Sequence, residues 1–541
     1  MMENTVSKLV HRCQTDSNIG SDSLEGFVEQ AREKVGIENV VGGQEFINHL
    51  DIVCSKIIDL LSSSFGPRGL NKIILNPVND MYLTSDGKTI LEETDILHPV
   101  VTSLKDLAGS MDKTCGDGTK TAVLLSATLV NRAIPLINRG IHPTIIIDGY
   151  QKALNKSYEI LQFESKSVKS QKDTYSAVFA AASSKGIETH QAERLAKIMI
   201  DSIKRLNAMS ENTDLDLNDN VRIIKKTGAS GIVSLNGVIL DEKPARFEMP
   251  DYIESPNVLI LNHDLKVDSE YLNPQHNINI DSFGTAYQFE ECRKNILKNY
   301  ADKILETGAD LVFCEGEVDP YIDFLLAKNN ILMFKKMKMK DIEKLSRATE
   351  AGISSIKDDL TKSIGYADKI EVKKENGEHL VYVTANSKMI TTIIIWEPVK
   401  YNLEKVEEAA DDALNNAAFI LKNGLVVAGG GGIEFGLSQM LKLYASTIEG
   451  KEQLAVVEYA KALEQIPRIL AFNMGMNPID SIADMKYYYN KGIDSRIDVS
   501  GQVVNNSPPL YDSVTIKKLA IISATETATN ILKIDEIVPK R

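Results

Sequence analysis

Cysteine is scarce in this sequence of 541 residues, and the distribution of its cysteines argues against a disulfide framework and against a structural zinc site. The number of cysteines is odd, they are widely scattered, and no two form a Cys-x-x-Cys pair. Disulfide frameworks and structural zinc sites need closely spaced cysteines. The sequence therefore predicts neither and favours a reducing compartment. The cysteines are Cys13, Cys54, Cys115, Cys292 and Cys314.

An excess of positive charge is also missing. Lysine and arginine total 61 against 75 aspartates and glutamates, which gives a formal net charge of −14. Binding to a nucleic-acid backbone needs a basic face, so we expect no nucleic-acid partner. The N-terminus lacks the apolar core of a signal peptide, and no apolar run approaches the ~18 residues that a membrane span requires. We expect a cytoplasmic protein without a membrane partner.

Hydrophobic periodicity divides the chain into helical ends and a mixed middle. Apolar residues recur at helical spacing from Gly43 to Ser64 and again over 140–215. Residues 219–262 resemble strands, and helix and strand patterns alternate over 290–366. The last third returns to long helices. This length predicts roughly three or four domains, with the two helical ends packed as one. Polar residues 1–40 predict a tail or a loosely docked segment.

Two local patterns predict paired strands. KIILNP (72–77) and MYLTSDG (81–87) indicate two short strands joined by a tight turn. KIEVKKENGEHLVYVTA (369–385) carries Asn-Gly between two alternating runs, which is typical of a β-hairpin.

The run GDGTKT, Gly116 to Thr121, is the first candidate for a chemical site. Glycines let backbone N–H groups approach an anion, and the helix pattern that follows adds a favourable dipole. Asp117 offers the carboxylate oxygens that Mg²⁺ prefers. Thr119 stands where a Walker A loop has glycine before its lysine, so the run is not a Walker A loop. Alone, the motif fits a phosphate loop or a turn that caps a helix.

Three further glycine-containing runs and one helical run are also candidates for a chemical site. FGPRG (65–69) indicates a rigid turn after a helix, and LTSDGKTIL (83–91) contains a tight Asp-Gly turn. GLVVAGGGGIEFG (424–436) is a short apolar strand ending in four glycines, which would admit a base or sugar or pack closely on a helix. In the helical run KVEEAADDALNNAAFILK (405–422), the two aspartates lie off the centre of the apolar face, where most carboxylates are solvated.

Taken in order, these four runs resemble motifs of the group II chaperonins, the family of the thermosome and the eukaryotic cytosolic chaperonin. There they read Gly-Pro-x-Gly, Asn-Asp-Gly, Gly-Asp-Gly-Thr-Thr and Gly-Gly-Gly-Ala. The resemblance extends from about residue 43 to the C-terminus. Further matching runs are TILEETDILHP (89–99), KKTGASGIV (225–233), GADLVFCEG (308–316), KLSRATEAG (344–352), IPRILAFNMGMNPID (466–480) and TATNILKIDEIV (527–538).

The resemblance implies a multidomain α+β fold with a mostly helical equatorial domain, an α/β intermediate domain and an α/β apical domain whose helical protrusion forms a built-in lid. It implies an ATPase that uses ATP and Mg²⁺ to fold non-native polypeptides inside a double ring of like or unlike subunits, without a separate lid protein. The implied bounds are 1–165 (with 1–40 as an extension) and 405–541 for the equatorial domain, 166–235 and 367–404 for the intermediate domain, and 236–366 for the apical domain, with the lid at about 264–297.

The resemblance also assigns roles to residues. Asp412 would activate water with Asp86 as its partner, Asp117 would bind Mg²⁺, and Lys185 would sense the γ-phosphate, although most lysines lie at the surface. Asp498 is a candidate on the ribose side. The implied nucleotide contacts are Gly66, Pro67, Gly87, Gly116, Asp117, Gly118, Thr119, Lys120, Thr121, Lys185, Gly429, Gly430, Gly431 and Asp498. Three aromatic residues would contact the lid or pack locally: Phe283, Tyr287 and Phe289.

Departures from the family pattern leave questions open. Lys120 replaces a threonine, and its ammonium would point either inward to the phosphates or away along the helix. IIIWEPVKYN (393–402) replaces a strand that ends in Arg-Gly-Gly, so the intermediate-domain turn must differ. One rival interpretation is therefore a chaperonin-like structural subunit that assembles but hydrolyses ATP poorly or not at all. Another is an ordinary metabolic ATPase, for which the sequence offers no substrate pocket.

Overall fold

The structure is a computed structural model that describes residues 41–75, 81–94, 96, 98–209, 217–267, 283–375, 377–385, 390–505 and 509–537. The chain forms two compact units. Unit 1 contains the residues up to Ala196 together with those from Glu408 onward, and unit 2 contains Lys197–Glu407. The two ends of the chain therefore lie in one unit. The N-terminal extension, residues 1–40, lies outside the described part.

The described helices run from α1 to α16. They are α1 (Gly43–Ser62), α2 (Gly87–Glu92), α3 (Pro99–Cys115), α4 (Thr119–Asn138), α5 (Pro143–Glu164), α6 (Gln171–Ser183), α7 (Thr189–Met209), α8 (Leu217–Asn220), α9 (Phe283–Glu306), α10 (Pro320–Lys328), α11 (Met339–Thr349), α12 (Lys400–Asn423), α13 (Gly432–Ala445), α14 (Glu452–Asn473), α15 (Pro478–Asn490) and α16 (Val514–Leu532).

The described strands run from β1 to β20. They are β1 (Val41–Gly42), β2 (Lys72–Leu75), β3 (Met81–Thr84), β4 (Lys166–Ser167), β5 (Val221–Thr227), β6 (Gly231–Leu240), β7 (Tyr252–Glu254), β8 (Asn257–Leu261), β9 (Leu311–Cys314), β10 (Leu332–Phe334), β11 (Ile353–Ser354), β12 (Gly365–Tyr366), β13 (Lys369–Glu375), β14 (Glu378–Thr384), β15 (Thr391–Glu397), β16 (Leu425–Ala428), β17 (Ser495–Asp498), β18 (Gln502–Asn505), β19 (Tyr511–Ser513) and β20 (Glu536–Ile537).

Unit 1 is built around the apolar helix α4, which packs against α1, α3, α14 and α16. Helix α1 shows why the sequence folds this way, because its buried residues recur every three or four positions and form one stripe. They are Phe46, Leu50, Cys54, Ile57 and Leu61. Four small sheets border this helical core, with strand orders β19-β16-β4, β1-β20, β2-β3 and β17-β18.

Unit 2 holds two larger sheets. A six-stranded sheet has the order β5-β15-β6-β14-β13-β7, and in a second sheet the order is β10-β9-β8-β11, with β12 also paired to β8. The expected hairpin is confirmed, because β13 and β14 pair in antiparallel register from Lys369↔Thr384 to Glu375↔Glu378. Helices α10 and α11 alternate with the short parallel strands β9, β10 and β11. The alternation predicted over 290–366 is therefore confirmed.

Candidate nucleotide site

A cavity of about 600 Å³ lies in unit 1, where several turns of the chain converge. Its walls include the turn after α1, the Gly116–Thr121 loop and the turn before α13. The cavity brings together most of the residues singled out in the sequence. They are Gly66, Pro67, Asp86, Gly116, Asp117, Gly118, Thr119, Lys120, Thr121, Lys185, Asp412, Gly430, Gly431 and Asp498. Gly87 and Gly429 are not part of its wall.

The Gly116–Thr121 loop joins the end of α3 to the start of α4 through two left-handed glycines. Gly116 has φ 66° and Gly118, the N-cap of α4, has φ 81°. A Cβ at Gly118 would lie 2.9 Å from Ile516 Cγ2, so both conformation and space favour glycine there. Because Gly118 has no capping side chain, the first N–H groups of α4 stay available to an anion at the helix N-terminus.

Asp117 is held in place between these glycines. Its Oδ2 accepts a hydrogen bond from Asn416 Nδ2 at 2.8 Å, and Asn416 Nδ2 also donates to the carbonyl oxygen of Asp412 at 3.0 Å. Within the ranges described above, no three His, Cys, Asp or Glu side chains cluster closely enough to hold a metal ion. One carboxylate beside a phosphate loop suits Mg²⁺, which keeps several waters and shares its ligands with the phosphates of a nucleotide.

Lys185 is the centre of a buried charge cluster, and it is not the surface lysine that its sequence context favours. Its side chain is 8% exposed, and its Nζ lies 3.1 Å from Asp86 Oδ1, 3.4 Å from Glu408 Oε2 and 3.6 Å from Asp412 Oδ2. Asp412 is buried rather than solvated, and Ser184 Oγ also donates to it at 3.4 Å. Lys185 is therefore the shared cationic partner of three carboxylates.

Sharing one cation separates the pKa values of these carboxylates. Burial raises the pKa of Asp86, but the charge of Lys185 and the hydrogen bond from Thr89 outweigh it and lower that pKa to about 2. Burial and the negative charges of Asp117, Asp86 and Glu408 raise the pKa of Asp412 well above the usual range. A carboxylate with a raised pKa is the better proton acceptor. Asp86 is therefore ionised at neutral pH, and Asp412 is the more basic of the two carboxylates.

Lys120 is partly buried, and its side chain turns into the protein. Its Nζ donates to the carbonyl oxygens of Ser64 at 2.7 Å and Ser85 at 3.0 Å. Lys120 also borders the cavity, so it neither extends along the helix to the surface nor points at the cavity alone. Gly87 lies beneath its side chain, because a Cβ there would be 2.4 Å from Lys120 Cγ.

The glycine-rich strand end forms the opposite wall. Gly430 (φ 58°) and Gly431 (φ 80°) precede α13, and a Cβ at Gly431 would lie 2.9 Å from Pro467 Cβ. Asp498 borders the same wall and accepts hydrogen bonds from the Ser500 N–H at 3.1 Å and Oγ at 2.7 Å. Burial raises the pKa of Asp498, but Ser500 and Arg496 outweigh it and lower that pKa.

The sequence analysis did not single out several residues that lie in or beside the cavity. Helix α6 presents one face to the cavity, with residues at a spacing of three and four: Lys172, Asp173, Tyr175, Ser176, Phe179, Ala180 and Ser183. Glu408 and Asn416 lie one turn before and one turn after Asp412 on α12, a spacing that signals a shared helical face. Lys517, which also lines the cavity, is partly buried, and its Nζ lies 2.6 Å from Glu434 Oε1 and 3.0 Å from Asp512 Oδ2.

The model of the TCP-1/cpn60 chaperonin family matches residues 57–541. The chain belongs to this family. It is 34% identical to the thermosome subunit alpha of Sulfurisphaera tokodaii over 92% of each chain, and 35% identical to the thermosome subunit of Pyrococcus horikoshii over 90% of each. It is 32% identical to the thermosome subunit of Methanopyrus kandleri over 92% of this chain and 94% of the relative. The expected group II chaperonin resemblance is confirmed.

This chaperonin contains one described helix, α4, that is long and apolar enough to cross a membrane by length and composition. In its most apolar window 67% of the residues are buried inside the structure. Helix α4 is also the element around which unit 1 packs, which is typical of a core helix in this chaperonin.

Proposed function

We propose that this chain is an ATP-dependent protein-folding chaperonin subunit that binds Mg²⁺-ATP in the unit 1 cavity and hydrolyses it. The observation that carries the proposal is the cluster of Lys185 with Asp86, Glu408 and Asp412. Lys185, Asp86 and Asp412 of this cluster line the same cavity as the helix N-terminus that lacks a side-chain cap. A phosphoryl-transfer site needs a fixed cradle for phosphate and a carboxylate to orient and deprotonate water. The start of α4 and Asp412, which line one cavity, are the candidates for these two parts.

Each residue has a distinct part in this proposal. The N–H groups at the start of α4 would hold phosphate oxygens, and Asp117, fixed by Asn416, would hold Mg²⁺. Bound Mg²⁺ would neutralise the charge that develops on the phosphates. Asp412 accepts the proton of the attacking water, while ionised Asp86 orients that water. Lys185, which lies two residues beyond the end of α6, faces the terminal phosphate.

The three-domain division is also a proposal. It assigns 1–165 and 405–541 to an equatorial domain, 166–235 and 367–404 to an intermediate domain, and 236–366 to an apical domain. Hydrolysis would drive closure of a built-in lid at about 264–297 over non-native polypeptide in the cytoplasm. Residues 268–282 of that lid lie outside the described part, as do the side chains of Phe283 and Phe289. Tyr287, on the first turns of α9, is 64% exposed, which suits a contact residue.

A structural subunit that hydrolyses ATP poorly is the second candidate. The observation that favours it is Lys120 in place of the family threonine, since its side chain changes the wall of the phosphate cradle. Phosphate release by the purified protein with Mg²⁺-ATP separates the two candidates. Turnover that disappears in the Asp412 variant described below supports the ATPase, and binding without turnover supports the structural subunit.

Asp117→Ala should weaken Mg²⁺-dependent nucleotide binding, because the variant loses the carboxylate of the Gly116–Thr121 loop that is proposed to hold Mg²⁺. We expect affinity for Mg²⁺-ATP to fall by at least about 10- to 100-fold, the range typical of losing a residue that merely supports a metal ligand. Titration calorimetry with ATP, with and without Mg²⁺, measures this. The matched control is Asp106→Ala, an exposed aspartate on the same helix-loop segment. Equal affinities of the two variants for Mg²⁺-ATP would contradict the role of Asp117.

The protein should sediment as an assembly many times larger than its 59.8 kDa chain. Unit 1 exposes a group of large apolar side chains on and beside β2: Leu70, Ile73 and Leu75, each 62–69% exposed. Apolar patches of this kind mark protein contacts, and closed rings are a common way to bury a repeated contact surface. Analytical ultracentrifugation over a wide dilution series tests the expectation. A single species near the chain mass at every concentration would be inconsistent with a ring.

A further inference from the structure

Lys120 joins three walls of the cavity through one ammonium group. It belongs to the first turn of α4, while its acceptors Ser64 and Ser85 belong to the turns that follow α1 and precede α2. An ammonium has three N–H donors. Two are used at 2.7 and 3.0 Å, and the residues that the structure describes provide no third acceptor. Since Lys120 also borders the cavity, the third donor can serve a ligand there.

The chain accommodates this lysine through Gly87. A Cβ at Gly87 would lie 2.4 Å from Lys120 Cγ, a separation that side chains do not tolerate. The φ of Gly87 is not in the left-handed region, so space rather than backbone conformation explains the glycine. Gly87 and Lys120, 33 positions apart, therefore form a matched pair.

The ammonium is also set within a balanced charge environment. Burial lowers the pKa of Lys120 to about 8, with Lys185 acting in the same direction, while Asp86, Asp412 and Glu408 act against it. A phosphate ligand in the cavity would favour the charged form further. The ammonium of Lys120 is thus held by two carbonyl oxygens, and among the described residues no carboxylate pairs with it closely.

We propose that Lys120 is a cation built into the phosphate cradle, which fixes the Ser64 and Ser85 turns and donates its third N–H to a terminal phosphate oxygen of the nucleotide. This proposal rests on the proposed nucleotide site. It makes Lys120 a phosphate-binding residue that holds the cavity walls in position, whereas the threonine typical of the family could only supply a hydroxyl.

Lys120→Met tests the proposal, because methionine keeps most of the stem and removes the charge. Titration calorimetry should show affinity for Mg²⁺-ATP and Mg²⁺-tripolyphosphate reduced about 5- to 30-fold, as expected for one charge-assisted hydrogen bond. Affinity for adenosine should stay unchanged, which a general loss of structure would not produce. Wild-type affinity of the variant for Mg²⁺-ATP would overturn the proposal, and so would an equal loss for adenosine. If the wild type itself bound no ATP, the nucleotide site would be wrong as a whole.

A second set of variants does not depend on a charge change in the core. Gly87→Ala should displace Lys120 and weaken Mg²⁺-ATP binding as Lys120→Met does. Gly109→Ala, at a helical glycine where a Cβ meets nothing within 4 Å, is its matched control. In a Lys120→Ala background, which lacks the Cγ atom, Gly87→Ala should cause no further loss. An undiminished effect of Gly87→Ala in that background would show that Gly87 acts independently of Lys120 and would overturn the pairing.

Discussion

Asp412→Asn should reduce the rate of ATP hydrolysis by about 10²- to 10⁴-fold, the range that general bases contribute. Nucleotide affinity should change little, because Asp117, the α4 N-terminus and Lys120 are intact. Phosphate release under single-turnover conditions measures the rate, and calorimetry measures the affinity. The matched control is Asp411→Asn, which changes the exposed neighbouring carboxylate on the same helix. If both variants hydrolysed ATP at the wild-type rate, Asp412 would have no part in activating water.

The same substitution should make the nucleotide-free protein more stable at neutral pH. The pKa of Asp412 is raised in the folded state, so ionising it costs folding free energy once the pH exceeds the pKa of the unfolded chain. Asparagine removes that cost and leaves Asp86 and Glu408 to balance Lys185. We expect higher thermal stability than wild type near pH 7 and no difference below about pH 3, where the carboxyl group is protonated in both the folded and the unfolded state. A variant that was less stable at pH 7 would contradict this charge balance.

Lys185→Met should destabilise the protein by about 3–5 kcal/mol at neutral pH, the typical cost of removing one partner from a buried ionic group. Three carboxylates would lose their shared cation within 3.6 Å. Denaturant unfolding without nucleotide measures the loss, and Lys169→Met, at an exposed lysine just before α6, is the control.

The free energy of unfolding of Lys185→Met should change with pH in a defined direction. In the wild type, the pKa of Asp86 is lowered to about 2, so its contribution to stability is present above about pH 4 and is lost as the pH falls toward 2. Without Lys185, the three carboxylates have raised pKa values and the folded state binds protons more readily than the unfolded chain. The stability of the variant should therefore rise as the pH falls from about 8 to 5. A deficit that did not change over this range would mean that lost packing, and not charge, causes the destabilisation.

Local patterns predicted much of the secondary structure. The apolar stripe of α1 and the Asn-Gly hairpin of β13 and β14 both follow from spacing within a few residues, and both are confirmed. Helix α3 was not among the predicted elements, although it begins with Pro99 and ends at the left-handed Gly116, both common helix boundary signals.

The site was predicted less completely, because its contacts join distant parts of the chain. Ser184 and Asp412 are 228 positions apart, and Asp117 and Asn416 are 299 apart. Motifs marked the glycines and Asp117, whose requirements are local. Local spacing placed Asp412 among solvated carboxylates and Lys185 among surface lysines. Only their long-range pairing explains why both side chains are buried. Glu408 joins the same cluster, partly exposed, without any motif of its own.

Strand β15, which replaces the family strand ending in Arg-Gly-Gly, carries the only tryptophan of the protein. Trp396 is 4% exposed and packs with Ile239, Leu380, Tyr382 and Ile394 in the six-stranded sheet of unit 2. Excitation at wavelengths that only tryptophan absorbs therefore selects a single residue, Trp396, in each chain. Its emission reports on the sheet of unit 2, while the proposed nucleotide cavity lies in unit 1 and has no indole in its wall. Each chain thus carries an intrinsic optical probe that tests, without any label, whether adding nucleotide changes unit 2.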